Sequence, residues 1–243
     1  MTSRRQPGNG YSLVELLVAT VLFTIIAGTI FSLLFGAQLR YSSESGLTTA
    51  FQQANIAIDQ ITRDLHSAGY PPPSSFAPGM LQNNPQLATL MALPFSWSPG
   101  YTNVPPTPCT VGVGGNCGAV PGPYDLILET DTGDGNGVQW IRYSLQGTTL
   151  MRGMTAKQAF TDPVAGTSVG VMLPYLDNVM NGPGNQALPI FTYGFDCIST
   201  TTPPLISNIC KVNIALIVQA AQPDPQTGQF RNVRLTGQAA LFN

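Results

Sequence analysis

The sequence predicts an α+β protein in which one long N-terminal helix leads into an antiparallel β-sheet domain. Three observations carry this expectation. No proline occurs between Tyr11 and Tyr70, and the run from Leu16 to Leu39 holds no charged residue. Leu47, Phe51, Ala54, Ile58, Ile61, Leu65 and Ala68 then recur at alternating spacings of four and three, which is an amphipathic helical stripe. Beyond residue 124 the period changes to two. Val212, Ile214, Leu216 and Val218 share one strand face, as do Val233, Leu235, Ala239 and Leu241.

Residues 1–10 form a short basic leader, with Arg4 and Arg5 just ahead of the apolar run. The first half of the helix, residues 11–39, is the predicted transmembrane part. The 24 positions from Leu16 to Leu39 cover about 36 Å at helical rise, enough for a bilayer core of ~30 Å. The positive-inside rule puts the N-terminus in the cytoplasm and the bulk of the chain across the membrane. A secretory signal peptide would place a shorter apolar region before its small-residue cleavage site, whereas Gly10 precedes this one. Glu15 is an acid at the head of the membrane-length helix. A carboxylate there is costly and reads as functional, with a partner to be found.

Residues 40–69 are the amphipathic half. The simplest reading is one continuous helix from about residue 11 to 68, its second half laid on the β-domain. A coiled-coil seam is the weaker reading, because the stripe covers about three heptads and lacks regular flanking charge pairs. Gly28, Gly36 and Gly46 interrupt good helix formers, either as weak points or as places of close packing in lipid. Gly69-Tyr70-Pro71-Pro72-Pro73 ends the helix, with a glycine suited to a left-handed cap and prolines that forbid continuation. Residues 70–123 read as a Pro/Gly-rich loop region, since 12 of the 21 prolines fall between 71 and 123.

The β-domain is assigned to residues 124–243. Asp125–Glu129 and Val138–Ser144 are β-rich runs separated by Asp131-Thr-Gly-Asp-Gly-Asn-Gly137, which predicts a hairpin. Leu150-Met151-Arg152 adds a third strand after Gln146-Gly147.

Charged residues make up 9% of the chain and the net charge is −2, so nucleic acid is not an expected partner. Cys109, Cys117, Cys197 and Cys210 all follow the membrane segment, and an even number in an oxidising compartment suggests two disulfides. Three pairings are open, the local ones (Cys109 with Cys117, Cys197 with Cys210) being simplest. A zinc site would want Cys-x-x-Cys spacing or several histidines, and His66 is the only one. His66 also lacks a nucleophile motif beside it, so no enzyme activity and no cofactor are expected. Trp97 and Trp140 read as core or rim residues. Asp131, Asp134 and Asn136 crowd oxygen donors into one loop that could take calcium. Gly133 and Gly135 replace ligands of an EF-hand, however, and Arg142 stands where the bidentate Glu would be, so a solvated turn is the expectation.

Gly10-Tyr11-Ser12-Leu13-Val14-Glu15-Leu16-Leu17-Val18-Ala19 resembles the cleavage and methylation motif of type IV prepilins and type II secretion pseudopilins. The resemblance implies cleavage after Gly10 by a membrane-embedded prepilin peptidase and methylation of the new amine at Tyr11, where the family usually has phenylalanine. It also implies that Glu15 attracts the N-terminal amine of a neighbouring subunit as a filament grows. The helix end Ile61–Tyr70, the Asp/Gly-rich turn, Arg142-Tyr143 and Leu150-Met151-Arg152 are loosely similar to PilW-type minor pilins and their PulJ/GspJ-type pseudopilin relatives. On that resemblance the chain is an assembly subunit with a pilin-like fold that primes a type IV pilus or sits at its tip. The alternatives are a type II secretion pseudopilin or a pilin-anchored adhesin with its binding surface in the loop at 71–123. The implied partners are other major and minor pilins, the peptidase, an inner-membrane assembly platform and membrane lipid. The implied location is the inner membrane with the domain in the periplasm, followed by the pilus or pseudopilus.

Overall fold

The computed structural model describes residues 12–77, 80, 89–95, 121–158, 169–195 and 209–241. Helix α1 runs from Leu13 to Ser67 without a break at Gly28, Gly36 or Gly46. At ~1.5 Å per residue it extends about 82 Å. Its stop is enforced at Gly69, which has φ +83° and donates its N–H to the Glu129 carbonyl at 2.8 Å. A Cβ at this position would lie 2.9 Å from Pro94 Cγ, so the left-handed backbone and the close neighbour both require glycine.

Among the described residues, seven antiparallel strands follow in two sheets. The first has the order β1 (Asp125–Asp131), β2 (Val138–Gln146), β3 (Thr149–Ala156), β4 (Leu173–Leu176). The β1–β2 hairpin closes through the glycine-rich turn, with Gly133, Gly135 and Gly137 all at positive φ. The second has the order β5 (Phe191–Gly194), β6 (Lys211–Pro223), β7 (Phe230–Ala240). Just past β4, Val179 forms an isolated antiparallel bridge with Val218 of β6.

β5 is too short to satisfy the whole edge of β6, and the segment 178–190 completes it. Ala215 N–H bonds the Ile190 carbonyl, Met180 N–H bonds the Ile217 carbonyl and Gln219 N–H bonds the Asn178 carbonyl. Fully buried Asn181 fills the gap, its amide donating to the Ala215 carbonyl at 2.9 Å and accepting from Ile217 N–H at 2.8 Å. An asparagine side chain thus stands in for a missing strand residue, because buried backbone groups must find partners.

The second half of α1 lies chiefly along β6 and β7. Ala54, Ala57, Ile61 and Leu65 face Leu126, Ile141, Leu150 and Val179, as well as Val212, Leu216 and Ala239, so helix and both sheets share one core. The stripe expected from sequence is displaced toward the membrane end. Ala54, Ile61, Leu65 and Ala68 are buried, but Leu47 and Ile58 are only half-buried and Phe51 is 47% exposed. Ser43, Ala50, Ala57 and Asp64 take up the buried positions instead. The buried positions Ala50, Ala54, Ala57, Ile61, Asp64 and Ala68 keep the four-three spacing, with Ala50 and Ala57 each one residue before the expected Phe51 and Ile58, so small residues line the close contact and the larger ones flank it. In the first half of the helix, none of the most apolar 18-residue window, of mean hydropathy 2.4, is buried among the described residues. By length and composition, α1 is able to cross a membrane.

Candidate functional site

The N-terminal turn of α1 is the first site indicated by sequence. Gly10 and Tyr11 lie outside the described residues. Ser12 is the N-cap in extended conformation, and its carbonyl accepts the N–H groups of Glu15 and Leu16 at 3.0 and 3.1 Å. Glu15 therefore sits in the first turn, where the helix dipole favours a negative charge. Its neighbours Leu13, Val14, Leu16 and Leu17 are all exposed apolar residues, and among the described residues no cation is paired with Glu15.

Two buried polar clusters flank the first sheet, one fastening the far end of the helix to it and the other fastening the segment 91–95. Asp64 is 5% exposed and accepts from Tyr143 Oη at 2.5 Å, Arg152 Nη2 at 3.0 Å and Gln60 Nε2 at 2.8 Å. Arg152 also donates Nε to Tyr143 Oη at 3.0 Å and lies 5.7 Å over its ring. Burial, and then the Asp64 charge, push the Tyr143 phenol far above its ordinary value. The second cluster lies on the opposite face of the sheet. The Glu129 and Lys157 side chains are both fully buried and paired at 2.7 Å. Glu129 also accepts from Trp140 Nε1 and from Leu93 N–H, each at 3.0 Å, and Lys157 donates to the Met91 carbonyl at 2.9 Å. The pair thereby pins the segment 91–95 over the sheet just where the helix ends. Met91, Ala92, Leu93 and Phe95 are buried, so this part of the 70–123 region belongs to the core.

These clusters were not singled out from sequence. Asp64 was detectable in principle, as a charged residue one position before Leu65 on a stripe that packs inward. Arg142 and Tyr143, picked out only by resemblance, point to opposite faces. Tyr143 joins the Asp64 cluster, and Arg142 binds Asp125 through both carboxylate oxygens at 2.9 and 2.5 Å. That hydrogen-bonded pairing raises the Arg142 guanidinium above its ordinary value.

The turn with Asp131, Asp134 and Asn136 is internally hydrogen-bonded. Asp131 accepts from Gly133 N–H, and Asp134 accepts from Asn136 N–H, Asn136 Nδ2 and Gln139 Nε2, each at 2.9 Å. These donors hold the exposed Asp134 carboxyl down at about 2, the Asn136 backbone N–H contributing most. A cation here would have to displace two side-chain amide nitrogens from Asp134, and among the described residues no group of three or more His, Cys, Asp or Glu is disposed to hold a metal. His66 is exposed near the helix end. Cys210 is disulfide-bonded. Cys109, Cys117 and Cys197, and with them both expected pairings, lie outside the described residues, as does Trp97.

The described arrangement is one of fastening and presentation. Buried charges lock a helix to a sheet, and the other half of that helix stands clear with one acid near its start. No known protein family, curated protein or solved structure matches the chain.

Proposed function

We propose that the chain is a membrane-anchored minor pilin, a non-enzymatic assembly subunit that primes a type IV pilus or sits at its tip. One observation carries the reading. A glycine-terminated basic leader is followed at once by an exposed apolar helix with a lone carboxylate, Glu15, in its first turn. A protomer built this way has an uncovered surface and a charge with no partner among the described residues, and another subunit at the correct height relieves both. In a low-dielectric layer such a pairing sets axial register more effectively than it adds net stability.

The test is peptide mass spectrometry of the N-terminus after expression with and without a prepilin peptidase. The expected product begins at methylated Tyr11 only when the peptidase is present. A Met1 start under both conditions would overturn the reading and leave a signal-anchored domain. In cells, deletion of the chain is expected to abolish surface fibres while leaving type II secretion intact; the opposite pattern would transfer it to the secretion pseudopilus.

A further inference from the structure

Strand β7 runs alongside α1, and two contacts fix their relative direction. A Cβ added to Gly237 would lie 2.5 Å from Ile58 Cγ2, and Arg231 Nη1 reaches Glu44 Oε1 at 2.6 Å. From Glu44 to Ile58 the helix rises about 21 Å, and from Arg231 to Gly237 the strand advances about 20 Å. The lengths agree, so strand and helix are close to parallel over this stretch. Ser42 donates to Gln222 Oε1, which holds the other arm of the hairpin at the same height.

The β6–β7 hairpin continues past these contacts toward the apolar half of α1. Pro223 pairs with Phe230, and Asp224 N–H bonds the Gln229 carbonyl at 2.8 Å. The turn closes as the Asp224 carboxylate accepts from the N–H groups of Gln226 and Thr227, at 2.8 and 3.3 Å. Three further residues along the strand direction carry the tip about 10 Å beyond Arg231, a height matched by about seven residues of helix below Glu44. The tip is thus level with the end of the apolar run at Leu39. A headgroup layer, about 5–8 Å thick on each side of a ~30 Å core, covers the same interval.

We propose that this hairpin tip stands in the phospholipid headgroup layer of the membrane that α1 crosses, with Phe230 as its anchor. The inference rests on the membrane-spanning reading of α1. Its chemistry suits that depth. Phe230 is 50% exposed, Tyr41 on the facing stretch of helix is 78% exposed, and Arg40 adjoins it, which is the aromatic and basic composition of a membrane interface. The tip brings little uncompensated charge, because Glu44 neutralises Arg231 and two backbone donors satisfy Asp224. A helix alone is free to rotate about the membrane normal. A second foot beside it fixes which side of the β-domain faces the bilayer and at what height.

The full chain, reconstituted in vesicles of phosphatidylethanolamine and phosphatidylglycerol containing brominated phosphatidylcholine, tests this. Three variants are compared with the parent protein: Phe230→Trp at the tip, Phe23→Trp in the span, and Thr236→Trp about 20 Å higher on β7. The expected result is that Phe230→Trp adds blue-shifted emission, most of which is lost to lipids brominated near the headgroup. Phe23→Trp is then quenched by deep bromines and Thr236→Trp by neither. Water-like, unquenched emission from Phe230→Trp beside a quenched Phe23→Trp would overturn the foot while leaving the span standing. An unquenched Phe23→Trp would overturn both, and quenching at Thr236→Trp would replace the foot by general adsorption of the domain.

Discussion

Lys157 brings an ammonium group into a space without solvent, and its value to the protein is set by what Glu129 would become without it. Breaking a fully buried ion pair strands the remaining charge. Lys157→Met is therefore expected to destabilise the protein by about 3–5 kcal/mol, whereas adding Glu129→Gln recovers part of that, since glutamine carries no charge and its single carbonyl oxygen keeps one of the two contacts, from Trp140 or from Leu93, that different oxygens of the carboxylate accept. Urea unfolding of the single and double variants in detergent checks this, and a double variant no better than the single would sink the account. Tyr143 makes a second test, through pH. Its folded-state value is raised, so the stability it contributes is fully present below the unfolded value near 10 and is lost as the pH climbs above it. Absorbance titration is expected to show Tyr143 ionising only together with alkaline unfolding. A phenolate appearing at that position in the folded protein near pH 10 would contradict the buried Asp64 contact. Asp134 works the other way. Its contribution is present above the ordinary value of 3.8 and lost as the pH falls toward about 2, which a carboxyl-resolved NMR titration reads directly.

The contact between α1 and β7 depends on what Gly237 lacks. A methyl group there overlaps Ile58 Cγ2, on a β-branched side chain with little rotamer freedom in a helix. Gly237→Ala is expected to cost about 1–3 kcal/mol by overpacking, and Ile58→Ala in the same chain to relieve much of that cost. Additive losses in the double-mutant cycle would show that the two residues do not meet. At this scale the sequence was legible where one period ran long. The helix, the β1–β2 hairpin, β3, β6 and β7 all announced themselves through spacing or turn residues. β4 and β5 did not, because four residues such as Leu-Pro-Tyr-Leu or Phe-Thr-Tyr-Gly are too few to display a period. Pro174 in β4 lacks an N–H for a ladder bond, and its place at the edge of the sheet makes it tolerable. The site divided along the same line. The place of Glu15 in the first turn of α1 was legible because it follows from a local run of sequence. The Glu129–Lys157 pair was not, because its members are 28 residues apart and meet only once the register of three strands is set.

Taken as a whole, the molecule is two halves of one helix with opposite fates. One half packs on the β-domain, and the other has no partner among the described residues. The free half carries a carboxylate beside exposed Leu13, Val14 and Leu16, and under the proposed function a second molecule supplies both a cation and an apolar surface. On the proposed reading, that cation is the methylated amine of a processed neighbour, and pairing chooses one height among the many that apolar surfaces alone would accept. Glu15→Ala is then expected to leave cleavage after Gly10 largely unchanged, because the peptidase acts before any neighbour is present. It is expected to impair incorporation, because copies lose the interaction that distinguishes the correct height from its neighbours. Mass spectrometry of the N-terminus reads the first effect, and recovery of the chain in sheared fibres reads the second. The two must be measured on the same cells, lacking the wild-type copy, since a fall in both would indicate failed processing. Normal piliation by Glu15→Ala in that background would remove the register role from Glu15 and leave the apolar surface of α1 to determine the fit alone.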